Sequence, residues 1–215
     1  MLNDDILKNL KKAILEYDSE KAANLAKEAL EKKIDPVKAL NVMTEAVRQV
    51  GDGFGRGELW LPDLVGAADA MQSAMPIIQK EIEIKGTKIE TLGVVVVGTV
   101  FGDIHNIGKT MVCTLLAAEG FTVYDLGVNV TAEKFIEAVK KYKADILAMS
   151  ALMTMTAPEQ RKIIAILKKE NLRDKVKVMV GGGSITEEFA KNIGADGYDP
   201  TAPGGAKLAR RLLNK

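Results

Sequence analysis

Leu92-Gly-Val-Val-Val-Val-Gly-Thr-Val100 is a run of apolar and small residues without a single charged side chain. Its density of β-branched residues predicts a strand buried on both faces, the situation of a parallel sheet covered by helices on either side. The pattern then repeats. Residues 121–126, Ile146–Ser150 and residues 176–180 are further short apolar runs. Helical periodicity separates them, over Ile107–Glu119, Ala132–Tyr142 and residues 157–170. A short helix near Glu187–Ile193 and a last one from about residue 204 to 213 complete the alternation. Strand and helix in turn predict a doubly wound α/β domain. In such a sheet the ligand sits beyond the C-terminal ends of the strands, so the loops after them are where chemistry is to be sought.

Upstream the sequence obeys a different period. Ile6, Leu7, Leu10 and Ile14, then Ala22, Leu25, Ala26, Ala29 and Leu30, each form one apolar face of a helix. Asp35-Pro36 predicts the start of a third helix, with an N-cap and a proline at the first helical position. The stretch Gly51-Asp-Gly-Phe-Gly-Arg-Gly57, with four glycines in seven residues, is expected to end it. A fourth helix is expected from Leu61-Pro62 through Met71, Met75, Ile78 and Ile82. A polar connector at residues 83–90 follows. The expected organisation is therefore a helical domain over residues 1–88 and an α/β domain over residues 89–215.

Composition excludes several classes. Thirty basic and 29 acidic residues give a net charge of +1, spread along the helices, so nucleic acid is not an expected partner. No apolar run is long enough to span a bilayer, and the N-terminus reads as an amphipathic helix and not a signal peptide, which predicts a cytoplasmic location without a membrane partner. Cys113 is the only cysteine and His105 the only histidine. Neither an internal disulfide nor a His-cluster metal site can form. Cys113, among Val112, Leu115 and Leu116, is expected to be a buried packing residue, and the methionines at 71, 75, 149, 153 and 155 to be packing as well.

The first strand runs into Thr99-Val-Phe-Gly-Asp-Ile-His-Asn-Ile-Gly108, which places the histidine at the expected ligand edge. Asp103, two residues before it, has two readings: a carboxylate that accepts the second imidazole N–H and orients the ring, or an N-cap of the following helix. Gly108 removes a side chain where that helix begins and so lets a bulky ligand approach the backbone. Gly102 and Gly108 lack the spacing of a Walker loop, which disfavours nucleotide hydrolysis. The third strand ends in Ser150-Ala-Leu-Met-Thr154, with two hydroxyls, and the fourth in Gly181-Gly-Gly183.

The three segments Asp103-Ile-His105-Asn-Ile-Gly108, Ser150-Ala-Leu152 and Gly181-Gly182-Gly183 resemble, in order and spacing, the cobalamin-binding fingerprint of the methionine-synthase type. Val50-Gly-Asp-Gly-Phe-Gly-Arg-Gly57 followed by Leu61-Pro62 resembles the helical cap that accompanies this domain, so the likeness covers essentially the whole chain. It is most similar to the free-standing corrinoid proteins of methylamine, methanol and methoxyl-compound methyltransferase systems. Ser150-Ala-Leu-Met-Thr154 and Glu170-Asn-Leu-Arg-Asp174 resemble the methylamine group in particular.

That resemblance implies a four-helix bundle cap followed by a flavodoxin-like parallel five-stranded domain. It implies a cobalamin held in the base-off/His-on form, with His105 replacing the cofactor's own base below cobalt. Cobalt would cycle between Co(I) and methyl-Co(III), as methylcob(III)alamin, carrying a methyl group between a substrate-specific methyltransferase and a second methyltransferase that passes it to tetrahydrofolate or coenzyme M. A reductive activating protein is a further implied partner. Gly102, Ile104, Asn106, Ile107, Leu152 and Ala202 join the motif residues at the cofactor surface, with Ser150 and Thr154 as hydrogen-bonding groups for the detached nucleotide tail. Trp60, with Leu61 and Val65 beside it, stands where the cap would cover the methyl group, the other reading being an aromatic of the bundle core. A methyl carrier must face two partners, so residues 51–57 and 83–90 are the expected hinges. A B12-dependent sensor, the cobalamin subunit of an isomerase and a non-corrin binding module remain as alternatives.

Overall fold

The computed structural model describes residues 2–85 and 91–214. It divides into two compact units, Met1–Glu90 and Thr91–Lys215.

The first unit contains α1 (Leu2–Leu15), α2 (Ser19–Glu31), α3 (Pro36–Gly55) and α4 (Leu61–Lys85). Local signals set the starts of the middle helices. The Asp18 carboxylate accepts the Lys21 amide at 2.9 Å to cap α2, and Asp35 accepts the Val37 amide at 2.9 Å to cap α3. The helices pack through small residues, with Ala22, Ala26 and Ala29 of α2 fully buried. Leu10, Ile14, Met43, Leu64 and Ile78 fill the centre. Each such side chain contributes roughly 1.5–3 kcal/mol by leaving water.

The glycine stretch does not end α3 where it begins. The helix runs through Gly51 and Gly53 to Gly55, and among these seven residues only Gly57 takes a left-handed φ, 75°. The reason lies in packing: Gly51 and Gly53 are buried, and a Cβ on Gly53 would lie 2.8 Å from Leu59 Cδ1. Close approach of the chain's return outweighs the low helix propensity of glycine. The second expected hinge, residues 83–90, falls partly on residues 86–90, outside the described residues.

The second unit alternates β1 (Val94–Thr99), α5 (Ile107–Glu119), β2 (Thr122–Asp125), α6 (Ala132–Tyr142), β3 (Ile146–Ser150), α7 (Pro158–Lys169), β4 (Lys177–Gly181), α8 (Glu187–Ile193), β5 (Gly197–Tyr198) and α9 (Ala202–Leu212). The five strands lie in the order β2-β1-β3-β4-β5, parallel throughout. This is the flavodoxin-like order, whose switch point falls between β1 and β3. Val95, Val96 and Val97 are buried, as a strand covered on both faces requires. Thr99 pairs with Ser150 and Ser150 with Gly181, so the ends of β1, β3 and β4 stand level and their loops emerge side by side.

The last helix starts two residues before the expected position. Thr201 caps it by accepting the Gly204 amide at 3.0 Å, and Pro203 sits in the first turn. Gly204 falls inside the helix, where a Cβ would lie 2.0 Å from an Asp199 carboxylate oxygen.

Gly98 in β1 is a position where the core leaves no room: its Cβ would fall 2.7 Å from the fully buried Phe135 ring. Gly98→Ala is expected to lower stability by about 1–3 kcal/mol through overpacking. Adding Phe135→Leu should return part of that loss, measured by urea unfolding of the two single variants and the double variant.

Candidate functional site

His105 lies on the loop between β1 and α5, and the hydrogen-bond pattern around it follows from one buried side chain. Asp103 is 0% exposed. Its Oδ1 accepts the His105 backbone amide at 3.0 Å and lies 2.8 Å from His105 Nδ1. Its Oδ2 accepts the Leu152 amide at 2.8 Å, the Met153 amide at 3.2 Å and the Thr156 hydroxyl at 2.7 Å. An ionised carboxylate only accepts hydrogen bonds, so Nδ1 carries the imidazole proton and Nε2 keeps the lone pair. Burial works against the charge on Asp103. The hydrogen bonds from the His105 amide, Thr156, the His105 ring and Leu152 outweigh it and hold the carboxyl well below the usual carboxylate range.

Asp103 is thus not the N-cap of α5. That place belongs to Asn106, whose side chain makes no capping bond. The His105 side chain is 48% exposed. Among the described residues nothing bonds to its Nε2.

Three further groups fix the loop. The Thr99 hydroxyl donates to the His105 carbonyl at 3.0 Å. Asn129, after β2, takes φ 53°, accepts the Gly102 amide on Oδ1 at 2.8 Å, and donates its own amide to the Asp103 carbonyl at 2.9 Å. Behind the loop, buried Lys109 pairs with Asp125 at the end of β2, and Asp125 accepts the Gly127 amide at 2.8 Å. Half-buried Cys113 is next to this pair; burial, then the Asp125 carboxylate, pushes its thiol up to about 12, which suits packing and not reactivity.

Sequence reasoning gave no role to Thr156, Asn129 or Thr99, because each meets the histidine loop only through folding. Of the apolar surface around that loop the resemblance implied Ile104, Ile107 and Leu152, but not Phe101, Val128, Met153 or Met155. Phe101, Ile104 and Ile107 after β1, Val128 after β2, and Leu152, Met153 and Met155 after β3 are all exposed, Ile104 at 72% and Met155 at 89%. Met153 and Met155 are therefore not packing residues, while Met71 and Met149 are buried as expected. Exposed apolar groups gathered on adjacent loops mark a ligand or partner surface.

The glycines of the site serve different ends. Gly182 has φ 111°, and a Cβ would lie 2.1 Å from the Ala151 carbonyl, so the loop itself demands glycine. Gly183 would meet Leu152 Cδ1 at 2.7 Å. Gly102 takes φ 79°. Gly108, exposed in the first turn of α5, has ordinary φ, and a Cβ built on it meets nothing within 4 Å. Gly181 is nearly as open, with the Asp199 carbonyl at 3.9 Å. Ser150 is half-buried and Thr154 exposed, and among the described residues neither hydroxyl has a hydrogen-bond partner. Ala202 is half-buried at the first position of α9.

Trp60, at the head of α4 in the helical unit, is 74% exposed and so is no part of the bundle core; Leu61 and Val65 are exposed beside it. Among the described residues no group of three or more His, Cys, Asp or Glu side chains is placed to hold a metal by itself. No helix among them is long and apolar enough to cross a membrane.

Comparison with known proteins agrees along the chain. A B12 binding domain model matches residues 93–204, and a second B12 binding domain model matches residues 6–79. The trimethylamine corrinoid protein of Methanosarcina barkeri is 42% identical over 212 residues, covering 98% of each chain. Dimethylamine corrinoid protein 1 of Methanosarcina mazei is 39% identical over 211 residues, covering 98% of this chain and 97% of its own. Among solved structures, the methanol:cobalamin methyltransferase complex of Methanosarcina barkeri matches with a TM-score of 0.85 at 29% identity, over 98% of this chain and 80% of that one.

Asp103→Asn puts an amide NH2 where every neighbour is a donor, and is expected to cost about 2–4 kcal/mol at neutral pH. Asp103 is held below its unfolded value, so its contribution is complete above about pH 4 and is lost as pH falls toward the folded value, where the unfolded chain takes up a proton first. Urea midpoints of wild type and Asp103→Asn should therefore differ most near neutrality and converge below about pH 4.

Proposed function

This chain belongs to the B12-binding corrinoid proteins, and we propose that it carries a methyl group on corrinoid cobalt between two methyltransferases, with His105 as the lower ligand of the metal. The observation that carries this reading is a half-exposed imidazole with its Nδ1 on a buried carboxylate, set among exposed apolar side chains. A single imidazole suits a metal whose equatorial positions a macrocycle already fills. The surface fits such a group: Phe101, Ile104, Ile107 and Leu152 offer apolar area, and Gly108 leaves open space where a Cβ would stand.

When bound, the corrinoid supplies a cobalt centre that accepts a methyl group from one partner and yields it to another. The protein's part is positioning. Asp103 fixes the His105 tautomer and increases electron density on Nε2, the atom that would meet the metal in a base-off/His-on arrangement. Because imidazole ligates only when unprotonated, the Asp103 partner also links ligation to proton uptake. Ser150 and Thr154 provide hydroxyls that are unpaired among the described residues for the displaced nucleotide tail, and Gly181 keeps a side chain out of its way, while Gly182 and Gly183 let the loop beside it close on Ala151 and Leu152. Gly102, Asn106 and Ala202 complete the cofactor surface in this reading. Trp60, exposed with Leu61 and Val65, is the side chain proposed to shelter the methyl-bearing face.

The names of its relatives support a methylated amine as the donor's class of substrate. The partners are then a substrate-specific methyltransferase, a second one serving coenzyme M or tetrahydrofolate, and a reductive activating protein, with the chain working in the cytoplasm. Matches along nearly the whole of both chains favour this carrier over the sensor and isomerase alternatives.

Reconstitution with methylcobalamin tests the central claim. Wild type is expected to show a tightly bound cofactor with histidine ligation in its visible spectrum, and His105→Ala to lose that ligation. A wild type that takes up no corrinoid overturns the reading. Gly108→Leu should fold as well as wild type or better, since leucine is the stronger helix former by about 0.5–1 kcal/mol, yet bind the corrinoid at least about tenfold more weakly, a loss of roughly 1.4 kcal/mol. Affinity by absorbance titration and stability by urea unfolding separate the two effects.

A further inference from the structure

The turn between α1 and α2 is closed by two backbone bonds, the Tyr17 amide to the Ile14 carbonyl at 3.1 Å and the Asp18 amide to the Ala13 carbonyl at 2.9 Å. Its pivot, Tyr17, takes φ 62°. Helix ends of this kind favour glycine or asparagine, which enter the left-handed region at small steric cost. Tyrosine has no such advantage, so its side chain must account for its presence. The half-buried ring lies against α4 at Gly66, where a Cβ would be 2.7 Å from Tyr17 Cγ. The hydroxyl donates to Asp63 Oδ1 at 3.1 Å. The other carboxylate oxygen of Asp63 accepts the Trp60 amide at 2.7 Å. The Trp60 carbonyl in turn accepts the Asp63 and Leu64 amides at 3.1 and 3.3 Å. Both backbone groups of Trp60 are thereby held while its indole stands 74% exposed.

We propose that Tyr17 is a positioning residue for Trp60, acting through Asp63 to set the direction in which the indole leaves the head of α4. The inference rests on the reading that Trp60 shelters the methyl-bearing face of the corrinoid. A side chain that covers one face of a ligand needs a fixed Cα–Cβ direction, since the rotamer exchange of an exposed aromatic then sweeps the ring over one limited arc, whereas a free backbone would let that arc itself wander. Asp63 supplies the direction by pinning the Trp60 amide, and Tyr17 holds the Asp63 carboxylate in the rotamer that does so. Burial and the Asp63 carboxylate both raise the Tyr17 phenol above its ordinary value, so the hydroxyl remains a donor at neutral pH.

Trp60 is the only tryptophan, so its fluorescence reports on this one side chain. The experiment compares the full-length wild type with Tyr17→Phe, which keeps the ring beside Gly66 and removes only the hydroxyl. Asp63→Ala, which removes the other end of the clamp, repeats the comparison. The readouts are tryptophan anisotropy, acrylamide quenching, and quenching of the emission on loading with methylcobalamin, whose absorption overlaps it. Wild-type emission is expected to fall on loading. In Tyr17→Phe the unclamped population should rise about tenfold or more, the factor set by one hydrogen bond to a charged group. Anisotropy should fall, acrylamide access rise and quenching by the cofactor weaken, with the His105 ligation spectrum unchanged. Identical signals from wild type and both variants overturn the role of Tyr17 and leave the shelter reading standing. Wild-type emission indifferent to the cofactor overturns the shelter reading, and this inference with it.

Discussion

The Asp103 carboxylate, out of contact with solvent, takes hydrogen bonds from two loops at once. On one side are the amide and ring of His105; on the other are the amides of Leu152 and Met153 and the Thr156 hydroxyl. A buried charge survives only when it is fully satisfied, so this one compels the loops after β1 and β3 to stay together. The carbonyl of the same residue receives the Asn129 amide, which brings in the loop after β2. Three connections that would otherwise move independently become one rigid rim, and the histidine tautomer is decided in the same stroke. The stability of the rim and the chemistry of the imidazole are therefore not separable: the group that holds the loops is the group that orients the ring.

Around this polar centre the surface is apolar, which inverts the usual arrangement of a folded domain. Ile104, Ile107, Phe101, Leu152 and Met155 remain in water although the same sheet buries every side chain from Val95 to Val97. Their exposure lowers stability and is offset only when something apolar covers them. The glycines sharpen the point. Gly182 is required by the Ala151 carbonyl beside it, whereas Gly108 has neither a left-handed backbone nor, among the described residues, a neighbour within reach of a Cβ. Together with a His105 Nε2 that has no partner among the described residues, this supports the proposed cofactor surface.

The helical unit solves a related problem by other means. Its interior sets buried alanines among Leu10, Ile14, Met43, Leu64 and Ile78, and close approach carries α3 through Gly51 and Gly53, where glycine content alone argues for a break. Trp60 lies outside that core, anchored by its backbone through Asp63 and Tyr17. The largest aromatic of the chain is thus placed by polar bonds and not by packing, consistent with a side chain kept available for a ligand.

The sequence by itself determined the two-part organisation, nearly every helix and strand, and the three motif segments at the strand ends, because periodicity and near-continuous valine runs are local properties that need no partner to be seen. The resemblance rested on those segments together with Val50–Gly57, Leu61-Pro62 and Glu170–Asp174, and the matches over residues 6–79 and 93–204 agree with it. Only the tertiary structure decided between the two roles open to Asp103, since its second oxygen is spoken for by residues some fifty positions away in the chain. It likewise brought in Thr156 and Asn129, exposed Met153 and Met155, removed Trp60 from the core and continued α3 through its glycines. The site residues depend on which loops the sheet order sets side by side, and Trp60 and α3 on how the helices of the first unit pack, and a contact made only on folding leaves no periodic trace in the segments that make it.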